Sequence, residues 1–151
     1  VRFYAAATGT LLPTALRAGD GMIRSLAFAP DGDHLAVLTS EGNVALHDLS
    51  SGLHKILKST APAPASFSTV SAARQAPLFL LTGPGRTPEV WNAQGQQVAT
   101  LPASEAYASY SGQLTPDGHF VLVYGDGYGA QLWDLRAGSR LRMLSTRQTS
   151  R

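Results

Sequence analysis

The sequence predicts an all-β repeat protein assembled from four-stranded antiparallel units. Three observations carry this reading. Thr115-Pro-Asp-Gly118 followed by Phe120-Val-Leu-Val-Tyr124 reappears earlier as Ala29-Pro-Asp-Gly32 followed by His34-Leu-Ala-Val-Leu38. A ring followed by an acid or amide recurs at near-constant spacing as His47-Asp48, Trp91-Asn92 and Trp133-Asp134. Fifteen Gly and nine Pro are spread along the chain, and no window places apolar residues three and four apart over ten positions, as a helical repeat of similar period would.

Taken in order, Val1 to Tyr4 alternates like a strand, Ala5 to Gly9 turns it, and Thr10 to Leu12 returns. This pattern aligns with Val44 to Leu53, so the chain opens on the second half of a unit and reads as the middle of something larger. The first complete unit has strands near Ile23–Phe28, His34–Leu38, Asn43–His47 and Leu53–Leu57. In the Pro-Asp-Gly turn between its first two strands, Pro presets φ, Asp bonds back to the backbone and Gly takes positive φ. Lys58 to Ala65 contains two prolines that remove ladder donors, and reads as a surface connection.

The second unit is degenerate. Its strands fit Phe67–Ala72, Leu78–Thr82, Pro88–Trp91 and Gln96–Leu101, with Gly83-Pro-Gly-Arg-Thr87 as a hairpin loop. In the third, Gly112–Leu114, Phe120–Tyr124, Gly129–Trp133 and Ser139–Leu144 are the strands. The expected division is therefore a half-unit at 1–16, units at 17–57, 58–101 and 102–144, and a polar tail at 145–151. Four short strands recurring at this period are the signature of propeller blades.

Composition narrows the function classes. At 151 residues, with 44% hydrophobic and 15% charged residues, the chain can bury a sizeable core. A net charge of +2 is too small to imply a nucleic-acid or membrane partner. Five of the twelve basic residues lie between Arg136 and Arg151, without the interleaved aromatic platforms that single-stranded nucleic acid uses. Arg140 and Arg142 alternate with apolar residues on the last strand, where charge blocks edge-to-edge pairing. With no Cys there is neither a disulfide framework nor a thiolate metal site. The longest apolar stretch, Ala76 to Leu81, is far short of a membrane span.

Leu26-Ala-Phe-Ala-Pro-Asp-Gly32, Ala45-Leu-His-Asp-Leu49, Glu89-Val-Trp-Asn92, Leu114-Thr-Pro-Asp-Gly118 and Gln131-Leu-Trp-Asp-Leu135 resemble the repeats of the WD40 family of β-propellers. The resemblance runs from Val1 to about Leu144 and implies three and a half degenerate blades of an incomplete ring. It also implies a non-catalytic scaffold whose partners are other proteins or the remaining blades, with no cofactor and no metal. The alternative is a catalytic or small-ligand propeller of quinoprotein or lactonase type. That would need His, Asp or Glu converging from several blades, and only Glu41 and Asp126 are offered. The chain departs from the family at Ala18-Gly19, where a Gly-His pair is typical. Without that His, the family's buried network of His, Asp, Ser or Thr, and Trp cannot form in full, so apolar packing is expected to hold the blades.

No catalytic constellation is legible. His34 and His119 sit at equivalent strand starts, and His47 replaces the blade Trp as a partly buried ring whose nitrogen the backbone would satisfy. Asp31, Asp48, Asp117 and Asp134 are explained by turns. Glu89 reads as a rim charge beside Trp91, and Asp126 between glycines reads as a tight hairpin rather than a calcium loop. Trp91 and Trp133 are both expected buried between blades, their N–H groups bonded. In a propeller the loop between second and third strands and the segment leading into each blade share one face. That face would carry Arg17, Arg24, Ser40, Glu41, Arg86, Thr87, Tyr107, Tyr110, Asp126 and Tyr128. Among these Arg17, Arg24, Glu41, Arg86, Tyr107, Asp126 and Tyr128 are the candidate partner-binding residues, because Arg and Tyr are enriched at interface hot spots. Arg86 is placed at a loop tip.

Overall fold

A computed structural model describes residues 1–16, 21–57, 67–102, 110–125 and 129–144. These residues contain fourteen strands and no helix. Strands β1 (Arg2–Tyr4) and β2 (Leu11–Ala15) form a two-stranded hairpin. Blade 1 is β3 (Ile23–Phe28), β4 (His34–Thr39), β5 (Val44–Asp48) and β6 (His54–Leu57). Blade 2 is β7 (Thr69–Ala72), β8 (Leu78–Gly83), β9 (Arg86–Asn92) and β10 (Gln97–Thr100). Blade 3 is β11 (Tyr110–Leu114), β12 (Phe120–Gly125), β13 (Gly129–Asp134) and β14 (Ser139–Leu144). Each blade is an antiparallel meander in sequence order, and the sheets form an open series rather than a closed ring.

Local chemistry explains the repeated turns. Between first and second strands, Asp31 accepts from the backbone N–H of Asp33 and His34, and Asp117 accepts from that of His119. Gly32 and Gly118 take φ of +76° and +73° there. Between third and fourth strands, Asp48, Asn92 and Asp134 do the equivalent task. Their side-chain oxygens accept backbone N–H bonds from Ser50 and Ser51, from Gln94 and Gln96, and from Arg136 and Ala137. The Ser50 hydroxyl donates to Asp48 as well. It is the main reason, with Ser51, that this carboxyl is held well below the usual carboxylate range.

Packing between blades supplies the core. Blade 1 presents Ala36, Leu38, Val44 and Leu46 to Val70, Phe79, Leu81 and Trp91 of blade 2. Blade 2 turns Leu80 and Val90, on its opposite face, towards Leu114, Val121 and Val123 of blade 3. The second strands of blades 1 and 2 are thus covered on both faces. This is why His34-Leu-Ala-Val-Leu-Thr39 and Leu78-Phe-Leu-Leu-Thr-Gly83 are near-continuous apolar runs, buried at every position after the first. The outermost strand β10 alternates in exposure, as a strand with one face in water should. Polar bonds tie the junctions. The Ser25 hydroxyl donates to the Val70 carbonyl and accepts from the Val70 N–H, both at 3.2 Å. The Gln75 N–H donates to the Pro116 carbonyl at 2.8 Å.

Two expectations need correction. The hairpin loop foreseen at 83–87 is tighter, because Gly85 at φ +62° lets Gly83 pair directly with Arg86. Arg86 and Thr87 are therefore strand residues. Trp91 is buried as expected, but Trp133 is only partly so. Both occupy the same blade position, and Trp133 packs towards blade 2, opposite Val121, at the edge of the cluster that joins blades 2 and 3.

The equivalent turn glycines offer a test of the junction between blades 2 and 3. A Cβ on Gly32 would meet nothing within 4 Å, whereas one on Gly118 would lie 2.8 Å from both Ala76 and Leu78. Gly32→Ala should cost about 1–2 kcal/mol, from left-handed backbone alone. Gly118→Ala should cost more, because overpacking adds to the same strain. Chemical denaturation of both variants checks this, and equal losses would mean the junction yields freely.

Candidate interaction face

In blade 1 the segment leading into β3 and the hairpin loop after β4 lie side by side. The Ser40 N–H donates to the Met22 carbonyl at 2.6 Å, and the Met22 N–H donates to the Ser40 hydroxyl at 3.2 Å. A Cβ on Gly21 would sit 3.6 Å from the Glu41 carboxyl carbon. Arg24 on β3 and Glu41 in the loop are both exposed here. Met22, 78% exposed, and Ile23, 40% exposed, are the large apolar side chains of this edge. The sequence places Met22 in the segment leading into blade 1 and Ile23 at the start of its first strand, without marking either as a contact residue. Arg17, Tyr107, Asp126 and Tyr128 lie outside the described residues, as does the side chain of Tyr110.

Arg86 is not a loop-tip side chain. It is 9% exposed, its guanidinium carbon sits 4.2 Å above the Phe67 ring, and its Nη2 is 3.8 Å from Glu89 Oε1. Glu89 is no rim charge either, being 0% exposed. Its Oε2 accepts from the Trp91 indole Nε1–H at 2.9 Å. The same intrastrand clamp recurs in blade 3, where Trp133 Nε1–H donates to Gln131 Oε1 at 3.3 Å. The signal was present in the sequence as an acceptor two residues before each Trp. Reading it required knowing which strand face the pair occupies.

These residues border a cleft of about 370 Å³ between blades 1 and 2, with Leu57, Phe67, Leu81 and Trp91 as its apolar wall. Leu57 and Phe67 of its wall flank residues 58–66, which lie outside the described residues. Glu89 is engaged by Trp91 and faces Arg86, an arrangement that secures the strand and offers no nucleophile and base in reach of each other. Among the described residues no group of three or more His, Asp or Glu side chains could hold a metal ion. His34 Nδ1 and His119 Nδ1 lie 2.8 and 3.2 Å from Asp31 and Asp117 of their own turns, at equivalent positions. His47 differs from expectation: among the described residues no group satisfies its Nε2, which is buried.

Comparison with known proteins accords with this architecture. The family model of the anaphase-promoting complex subunit 4 WD40 domain matches residues 9–70, which span β2, all of blade 1 and the start of β7. No curated protein matches the chain. The match and the repeated four-stranded antiparallel sheets fit a WD40-type β-propeller fragment.

The clamp predicts a large energetic effect at Glu89. Glu89→Leu leaves the Trp91 N–H without its acceptor and Arg86 without the facing carboxylate, and should cost about 3–5 kcal/mol. Adding Arg86→Leu to that variant should recover part of the loss, giving a coupling of at least about 1 kcal/mol in a double-mutant cycle of denaturant unfolding. Additive losses would show that the two side chains do not interact.

Proposed function

We propose that the chain is a non-catalytic protein–protein interaction scaffold, a section of a WD40-like propeller acting within a larger protein or complex. One observation carries this reading. In the three blades the cross-strand pairs Ala36–Leu46, Leu80–Val90 and Leu122–Leu132 are equivalent. The first two pairs are buried by the blade that follows, but Leu122 and Leu132 are partly exposed. Tyr124 and Leu144 share that face by register, and Leu141 is exposed beside it at the bulge of β14. At the other end Leu26 and Phe28 are 44% and 51% exposed, and the Phe3 ring meets Phe28 edge-on, at 6.3 Å. The repeat itself indicates what fits these surfaces: another four-stranded sheet with apolar side chains at the same register. Apolar faces of this extent are interaction surfaces in water.

The working face for protein partners is the edge formed by Met22, Ile23, Arg24 and Glu41 in blade 1, with Arg86 fixing the strand below its counterpart in blade 2. Arg17, Tyr107, Asp126 and Tyr128 belong to the same proposed face by topology. Support comes from the exposed pairing of apolar and charged groups there, from WD40 domains being generally non-catalytic, and from the matched family being named for a subunit of a complex.

Two measurements test the proposal. Light scattering should find the isolated 151-residue chain self-associated through its open faces. Tyr124→Lys with Leu141→Lys should shift it towards monomer, and a compact wild-type monomer would contradict the assignment. Arg24→Glu with Glu41→Arg should weaken capture of partner proteins at least about tenfold, or about 1.4 kcal/mol, while leaving the melting temperature unchanged. Charge reversal at Arg140 and Arg142 on β14 should leave capture intact, and the opposite pattern would move the working face to the outer strand.

A further inference from the structure

His47 stands where Trp91 and Trp133 stand in the other blades, and Ala45 stands where Glu89 and Gln131 supply the acceptor. The cross-strand partners agree: Leu35 faces His47, Phe79 faces Trp91 and Val121 faces Trp133. In β9 and β13 the ring N–H is bonded within the strand. The methyl group of Ala45 cannot accept, and His47 is 2% exposed with Nε2 buried and unpartnered. Across the ladder its partner on the edge strand β6 is His54. The two rings stack with centroids 5.4 Å apart and planes inclined by 29°.

Among the described residues neither ring is paired with a carboxylate, although Asp48 and His54 border one cleft. Strand β4 opposes His47 with Leu35, and the next pair in register is His34–Asp48. Asp48 is engaged by Ser50 and Ser51, and Asp31 by His34. On β6 the flanking charge is Lys55, whose Nζ reaches the Gln94 carbonyl of blade 2.

We infer that the stacked His47–His54 pair is an acid-sensitive latch on blade 1: neutral, it seals the β5–β6 edge, and a proton on His47 drives the ring out and loosens that edge. Burial first, then the charge of His54, holds the His47 pKa below its usual 6.5. The sign follows from linkage. Below pH 6.5 the unfolded chain binds a proton that the folded blade refuses. Stability is therefore fully present above that value and falls as the pH drops towards the folded-state pKa, the folding constant losing about tenfold per pH unit within the window.

Two experiments on the 151-residue chain decide the matter. In the wild type, an NMR titration should place His47 below 6.5, and amide exchange in β6, corrected for intrinsic rate, should accelerate in step with its protonation. His47→Phe should remove the loss of folding constant between pH 7 and the folded-state pKa. Ala45→Gln with His47→Trp, which rebuilds the clamp of the other blades, should remove it too. His47 titrating at or above its usual value in the wild type, or His47→Phe losing as much stability on acidification, overturns the latch. If His47→Phe fails to fold, the wild-type titration and the exchange of β6 settle it alone.

Discussion

Stacking of one blade on the next is the constraint on which this structure depends. A four-stranded sheet of this length cannot bury its own faces, so each blade relies on neighbours to remove apolar surface from water. The dependence is visible in the second strands, where Leu35 to Thr39 and Phe79 to Gly83 are buried without alternation. It is visible again where no neighbour is described: Leu122 and Leu132 are partly exposed although their counterparts are sealed. The partly exposed face of blade 3 is thus of the same kind as the faces that make each internal junction.

Polar groups within the stack choose a register that apolar contact alone would leave loose. Ser25 clasps both backbone groups of Val70, and Gln75 reaches the Pro116 carbonyl, so the first strands and turns of adjacent blades are locked along the strand direction. The Glu89–Trp91 and Gln131–Trp133 clamps serve each third strand internally. A buried indole keeps its apolar contacts only if its N–H has a partner, and an acceptor two positions earlier lies on the same strand face. This local solution does not need the His of the wider WD40 network.

Blade 1 shows the consequence of losing that device. With Ala45 and His47 in place of acceptor and indole, the position keeps its burial and gives up its hydrogen bond. The same blade carries the exposed edge of Met22, Arg24 and Glu41, held by the bonds between Met22 and Ser40. Its outer and inner halves therefore differ in character: one is sealed by a titratable ring, the other presents a mixed apolar and charged edge beside a firmly bonded turn.

The sequence by itself determined the period, the all-β class, the strand order within each unit and the turn chemistry of Asp31, Asp48, Asp117 and Asp134. These are set by neighbours a few residues away, through φ preferences and side-chain bonds to the adjacent backbone. It also marked Arg24 and Glu41 as exposed, because turn and strand-start residues of a repeat face outward by topology. Tertiary structure alone decided that Arg86 folds over Phe67 instead of projecting from a loop, and that Glu89 is fully buried. It likewise decided that Trp91 and Trp133 differ in exposure and that His47 Nε2 has no partner. Each of these depends on which side of a pleated strand meets another sheet. Alternation along a strand distinguishes the two faces, but only the packed blades decide which of them is covered and by what.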